Sequence, residues 1–459
     1  MNLIKILLLS ILSGTTILTN AQLLAFPGAE GFGKFTVGGR GGQVLTVSNL
    51  NDNGEGSLRK AVNTKGLRII VFSVSGTIHL ESSLSIKGDL TIAGQSAPGD
   101  GICLADFPVI LGGNNIIVRY MRFRMGDKNQ RGGMVDGNGV DDAFGGTRRK
   151  NIIIDHCSMS WSTDEVFSVY AGDSTTLQWN LISEPLNYAY HFETGDKDYE
   201  HHGFGGIWGG RHLSAHHNLF AHCNNRTPRF DGLRNSPVEN VDLRNNVIYN
   251  WGSNNVYAGE GGNYNVVNNY YKPGPSTSKN ALSKVVNPYK TDKIPYGKFY
   301  ISGNFIAGSV EVTQNNWLGV AMKDGTLKDA EAAKLKAPFP TVSIPQQSAV
   351  DAYKVVLEQV GASFRRDTLD QRVINDVKNG TGKFIDVQGA FAHGTAYSAT
   401  VKAWPSLKSI VAPVDSDRDG MSDIWEKSHG LNNMNDDASA FTTDKNYTNI
   451  ELYLNSLLK

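Results

Sequence analysis

Arg226-Thr227-Pro228-Arg229 places two guanidiniums on either side of a proline, directly after the run His216 to Asn225. Pro228 removes a backbone donor and restricts the residue before it, so the two arginines leave a stiff corner. A guanidinium offers a planar fork of donors that matches a carboxylate. Paired arginines held this way suit an acidic ligand. A solvated turn carrying two charges is the plainer reading, and the neighbouring residues decide between them.

Acidic side chains supply the other half of the chemistry. Asp141-Asp142, Asp155-His156 and Asp164-Glu165 follow one another closely. If the chain coils, positions one turn apart lie above each other at sheet spacing. Asp142 and Asp164, 22 residues apart, then project side by side into a groove. Carboxylates so placed bind Ca²⁺ or act as an acid/base pair, although Asp is also common at turns. A second set lies near the end of the chain, at Asp415, Asp417, Asp419, Asp423 and Glu426. These are positions 1, 3, 5, 9 and 12 of a loop with Gly420 at position 6, the pattern of an EF-hand calcium loop. Pro405 and Pro413 oppose the long preceding helix of a full EF-hand. A structural calcium module of dockerin or thrombospondin-repeat style fits better.

The elements that must position these residues are short and β-rich. They run Asn115 to Arg124, Asn151 to Ser160, Thr176 to Ser183, Leu213 to Phe220, Val241 to Asn250, Tyr264 to Tyr271 and Lys298 to Ile306. Asn180, Asn218, Asn246, Asn269 and Asn304 recur at intervals of 38, 28, 23 and 35, with Cys157 in the same register 23 residues earlier. A base step near 23 with variable excess describes a coil of fixed circumference carrying loops of different length. Asparagines stacked at one corner ladder their amides along the axis, and stacked coils share one core. The pattern predicts an all-β chain folded as a right-handed parallel β-helix; a β-sandwich would show hairpin turns and more even strand spacing. Arg68 to Ser73 and Leu90 to Ala93 read as early coils, and Ser57 to Val62 as a short helix capping the open end. Helical spacing appears at Asp329 to Lys336, Ser348 to Gly361 and Thr368 to Asn379.

The expected organisation is a signal peptide over 1–21, a β-helix over 22–310, wrapping loops and helices over 311–410, and a small calcium-loop module over 411–459. Ala403 to Val414 is the expected linker. Lys5, the apolar run Ile6 to Leu18 and the small residues before Ala21 have the order of an export signal, too short to span a bilayer. Export to the periplasm or medium is therefore expected, and no cysteine near the cut signals a lipid anchor. Removing 1–21 leaves 43 basic against 44 acidic side chains, which gives no field for nucleic acid. Cys103, Cys157 and Cys223 are too few for a disulfide framework; one bridge, or three inert buried thiols, stay open.

Asn151-Ile152-Ile153-Ile154-Asp155-His156-Cys157-Ser158, with Asp142 upstream and Arg226-Thr227-Pro228-Arg229 downstream, resembles the pectate lyase family. The likeness is to polysaccharide lyase family 1 in its secreted bacterial branch. It covers roughly residues 25 to 310, and Arg366 to Val373 resembles the tail of such members. Ile153 stands where the family usually has Trp. The resemblance implies a monomeric enzyme that cleaves polygalacturonate by β-elimination, with Ca²⁺ bridging protein carboxylates and the uronate carboxylate. It implies Arg226 as the base that takes the C5 proton, Arg229 as partner of the substrate carboxylate, and Asp142 and Asp164 as metal ligands. A free guanidinium keeps its proton at ordinary pH, so a basic arginine needs desolvation, positive neighbours or Ca²⁺. Two departures stand out: a family acid falls at Ser168, and a family lysine has only the loop residue Lys197 as a candidate. The loop 186–211, with His191, His201, His202 and Trp208, is a source of substitute contacts. Three other readings remain: a lyase on methylated pectin or another uronan, a polygalacturonase-type hydrolase using Asp141, Asp142 and Asp164, and a non-catalytic uronan-binding β-helix.

Overall fold

A computed structural model describes residues 22–130, 142–189, 191 and 201–458. The expected leader, Asp141 and Lys197 lie outside them. No helix among the described residues is long and apolar enough to cross a membrane.

The chain winds as a right-handed parallel β-helix with three faces, whose paired strands among the described residues run parallel. One full coil shows the scheme. Phe144–Thr147 lies on the first face, Lys150–Asp155 on the second and Ser158–Ser160 on the third. In the next coil the strand Phe167–Gln178 runs through the corner and serves both the first and second faces. On the third face Ser158 pairs with Leu181, Leu181 with Leu219, Leu219 with Val247, Val247 with Tyr270 and Tyr270 with Phe305. These steps reproduce the spacing of the asparagines, so the variable excess is loop length and the coil itself is constant.

The corner between the second and third faces explains why asparagine recurs. His156, Trp179, His217, Asn245 and Asn268 each adopt a left-handed conformation, with φ between 52° and 57°, which turns the chain sharply. The residue after each turns inward. Asn180, Asn218, Asn246, Asn269 and Asn304 accept at Oδ1 from the backbone N–H of the preceding rung, beginning at Cys157, at 2.9–3.0 Å. Asn316 ends the ladder by accepting from Asn304, just past the boundary expected at 310. Outside the same corner, the rings of Tyr120, His156, Trp179 and His217 stack in a column. Inside, Phe123, Phe144 and Phe167 stack along the axis.

Asn218 shows how much one rung carries. It accepts from the backbone N–H and Nδ2 of Asn180, and its own Nδ2 donates to the Leu177 carbonyl and to Asn246 Oδ1. Asn218→Ala leaves several fully buried groups unpaired. At ~1–3 kcal/mol for each such group, an unfolding free energy lower by about 3 kcal/mol or more is expected in urea titration. A loss too small to measure would show that the ladder contributes little to stability.

The helix Leu58–Asn63 caps the open end, with Ser57 Oγ accepting from the Lys60 N–H. The helices Ala349–Gln359 and Thr368–Asn379 pack Val356, Leu357, Val373 and Val377 against Leu181, Leu219 and Val247 on the third face. Arg124, fully buried, is paired there with Asp367 and Asp370. The helix expected at Asp329 begins instead at Leu327, because Thr326 and Asp329 form a capping box. The segment after the expected linker also docks on the β-helix: Met421, Ile450 and Leu454 pack on Ile69, Val71 and Ala93, and Arg40 pairs with Glu451 at 2.8 Å. All three cysteines are buried free thiols.

Candidate active groove

The corner that leads into the first face gathers the groove residues. Phe144 pairs with Phe167, so the step here is 23 residues, and Glu165 rather than Asp164 lies directly over Asp142. The Glu165 N–H donates to Asp142 Oδ1 at 3.2 Å. Asp164 stands one place earlier, and one oxygen from each of Asp142, Asp164 and Glu165 lies within 4.8 Å of the others. Carboxylates this close repel unless positive charge sits among them, and three hard oxygen donors fit Ca²⁺. The coil step of 23 sets Glu165 over Asp142, while Asp142 and Asp164 are 22 apart, so Glu165 joins the two expected aspartates as a third donor.

Phe204 bridges Glu165 on one side and Asn225 on the other. Arg226 follows with φ 57°. Its Nη1 pairs with Glu165, and its Cζ lies 4.1 Å from the centre of the Phe204 ring. An ion pair and an aromatic face thus hold one guanidinium at the carboxylate cluster. Its side chain is 23% exposed, against 8% for Arg229. Arg229 faces outward on the first face, in the same column as Ser168 and Tyr257. Its Nη1 donates to the carbonyls of Phe230 and Asp231, and its Nη2 lies 3.4 Å from Glu260 Oε1. Arg229 is therefore anchored in the groove floor, while Arg226 is the more accessible of the two.

Ser168 is uncharged, and its hydroxyl accepts from the Ile207 N–H at 3.0 Å. The third carboxylate near Asp142 and Asp164 comes instead from Glu165, three residues upstream of Ser168. The loop histidines separate. His201 stacks on Tyr188, whereas His202 Nε2 lies 3.4 Å from Asp164 Oδ1 and the His191 ring packs against it. Burial, reinforced by His191, pushes the His202 imidazole down to about 3. Trp208 is not a loop contact: it lies on the strand Ile207–Gly210, inward and fully buried, with Nε1 donating to the Phe167 carbonyl. Its place in the strand alternation dictates this.

Asp155 lies at a different corner. It is buried against Arg119, His156 and Gln178. Burial alone raises its carboxyl, but the His156 and Arg119 charges hold it well below the ordinary range.

At the far end, Asp415, Asp417 and Asp419 converge, and Asp419 also meets Glu426 and Asp437, with donor atoms of each trio within 4.8 Å. Both carboxylate oxygens of Asp417 and of Glu426 are buried without a hydrogen-bond partner. Burial, then Asp419 and Asp417, push the Glu426 carboxyl up to about 7. Such orphaned acids fit a divalent cation, and Gly420 makes the sharp turn at φ 94°. Asp423 falls outside both trios. It accepts from the Ser416 N–H and hydroxyl and from Asn433 Nδ2, each at 2.8 Å. Its oxygens are spent closing the loop, and Asp437, beyond the motif, stands among the donors.

No family model matches the chain. It is 34% identical over 448 residues to a probable pectate lyase C of Aspergillus flavus, covering 95% of each chain. A probable pectate lyase C of Emericella nidulans is 34% identical over 448 residues, covering 96% of this chain and 94% of that one. Both relatives are fungal. A solved pectate lyase of Bacillus subtilis has a TM-score of 0.52 at 15% identity, covering 75% of this chain and 99% of that chain. A pectate lyase bound to a hexasaccharide gives 0.50 at 15% identity, with the same coverage. At these identities the two structures speak for the fold alone.

Proposed function

The chain belongs to the pectate lyase family, and we propose that it is an exported, Ca²⁺-dependent lyase cleaving α-1,4-linked polygalacturonate by β-elimination. Export rests on the leader-like residues 1–21. The observation that carries the reading is the meeting of Arg226 with Asp142, Asp164 and Glu165 at one corner of the β-helix.

Asp142, Asp164 and Glu165 would hold the groove ion. Bound there, Ca²⁺ supplies positive charge that acidifies the C5 proton of a uronate. Arg226, whose protonated form the charge of a bound Ca²⁺ would disfavour, takes that proton in its neutral form, the C5–H electron pair becomes the C4–C5 double bond, and the C4–O bond breaks with its electrons on the leaving oxygen, which takes a proton from water. Arg229, fixed in the groove floor, orients the substrate carboxylate. Glu165 is central because the carboxylate that pairs with Arg226 is also one of the three metal donors. The trios Asp415, Asp417, Asp419 and Asp419, Glu426, Asp437 would hold a separate structural Ca²⁺.

The purified protein with polygalacturonate and Ca²⁺ is expected to generate the ultraviolet absorbance of a 4,5-unsaturated product. Chelator should abolish the signal and added Ca²⁺ restore it. New reducing ends without that absorbance would establish a hydrolase instead. Chelator-resistant turnover on methylated pectin alone would move the substrate. Affinity without turnover would leave a binding protein.

A further inference from the structure

Asp164 belongs to two donor sets. One is the all-oxygen set with Asp142 and Glu165; the other joins it to His191 and His202. In the second set the three residues are 8%, 2% and 7% exposed. Their donor atoms lie within 4.8 Å of one another. The His191 and His202 ring centres are 4.1 Å apart at 61°, so the two rings do not simply stack. His202 stands beside Asp164 at 3.4 Å, and a nitrogen of His191 lies within 4.8 Å of the same carboxylate and of the His202 donor atom.

The backbone holds His202 in place. The His202 N–H donates to the Asn187 carbonyl at 2.7 Å, and Asn224 Nδ2 donates to the His202 carbonyl at 3.2 Å. The His202 ring also packs on Phe204, whose face carries the Arg226 guanidinium. Two buried imidazoles and one buried carboxylate are donors for ions softer than Ca²⁺.

We propose that Asp164, His191 and His202 form a binding site for a borderline divalent transition ion of the Zn²⁺ class, beside the carboxylate set and sharing Asp164 with it. The two sites sort cations by ligand type. Since each uses Asp164, occupancy of one weakens the other, and the effect is reciprocal.

The test is Zn²⁺ calorimetry on the full-length, chelator-stripped protein, with Co²⁺ absorption as a reporter of nitrogen ligation. The His191→Gln/His202→Gln protein is expected to lose at least about tenfold in Zn²⁺ affinity and the nitrogen-ligated Co²⁺ bands. Glu426→Gln, which alters the far cluster, should retain both. Unchanged affinity in the double variant, or loss in Glu426→Gln instead, overturns the site. If the double variant fails to fold, X-ray absorption at the zinc edge of the unaltered protein decides. Imidazole scattering supports the site, and an all-oxygen shell overturns it.

Discussion

Arg226→Lys is expected to lower kcat on polygalacturonate by about a thousandfold, within the range that a positioned base contributes, while the β-helix stays folded. Fold retention follows from the location. Arg226 sits at a surface-facing corner, its side chain is 23% exposed, and a lysine tolerates the same left-handed backbone as poorly or as well as an arginine. The chemistry does not transfer. The planar guanidinium lies over Phe204 and meets Glu165 through Nη1 at the same time. An ammonium is a compact, strongly hydrated point charge without a flat face. It keeps the attraction to Glu165 and loses the orientation that aims a nitrogen at C5. The loss should fall on kcat rather than KM, because a base acts in the transition state. Arg229→Lys should show the opposite split, raising KM through poorer binding of the uronate carboxylate. Initial rates of unsaturated-product formation, with thermal melting beside them, separate these cases. Near-normal kcat in Arg226→Lys would remove the base assignment.

Much of the scaffold was readable because its determinants are local and repeated. The asparagine spacing reported the coil directly, since each rung is one buried amide bonded to the next. The same spacing held the groove register as well. The Asn246-to-Asn269 step of 23 is the step that sets Glu165 over Asp142, whereas the two aspartates lie 22 apart. A shift of one residue changes which side chain faces the groove. Trp208 was misplaced for a related reason: a tryptophan in a Gly- and His-rich stretch looks like a loop contact until the strand alternation turns it inward. At the far loop, Asp423 fits the linear motif at position 9 but lies outside both donor trios, and Asp437 lies beyond the motif but within one of them. Which carboxylates reach the cation depends on how Ser416 and Asn433 fold back onto Asp423, and that is tertiary. The His191, His202 and Asp164 meeting is tertiary too, joining one strand approach to a distant loop.

Glu165 gives the sharper examination of the metal-dependent chemistry, because it links the two halves of the groove. Glu165→Gln preserves volume and hydrogen-bonding shape but removes one of three carboxylates and the charge opposite Arg226. Ligand charge count is a main determinant of Ca²⁺ affinity, so the half-saturating Ca²⁺ for turnover should rise by about 10–100-fold. Excess Ca²⁺ should recover part of the rate, since Asp142 and Asp164 remain. It should not recover all of it, because the guanidinium loses the anchor that opposes its drift along the Phe204 face. Ser168→Ala is the matching control. Its hydroxyl serves only the Ile207 N–H among the described residues, so the calcium requirement should not move even though the family resemblance implies an acid at Ser168. If instead Ser168→Ala shifts the calcium curve and Glu165→Gln does not, the ion sits one column over, on the floor beside Arg229. The pairing of Glu165 with Arg226 would then be a structural clasp rather than part of the chemistry.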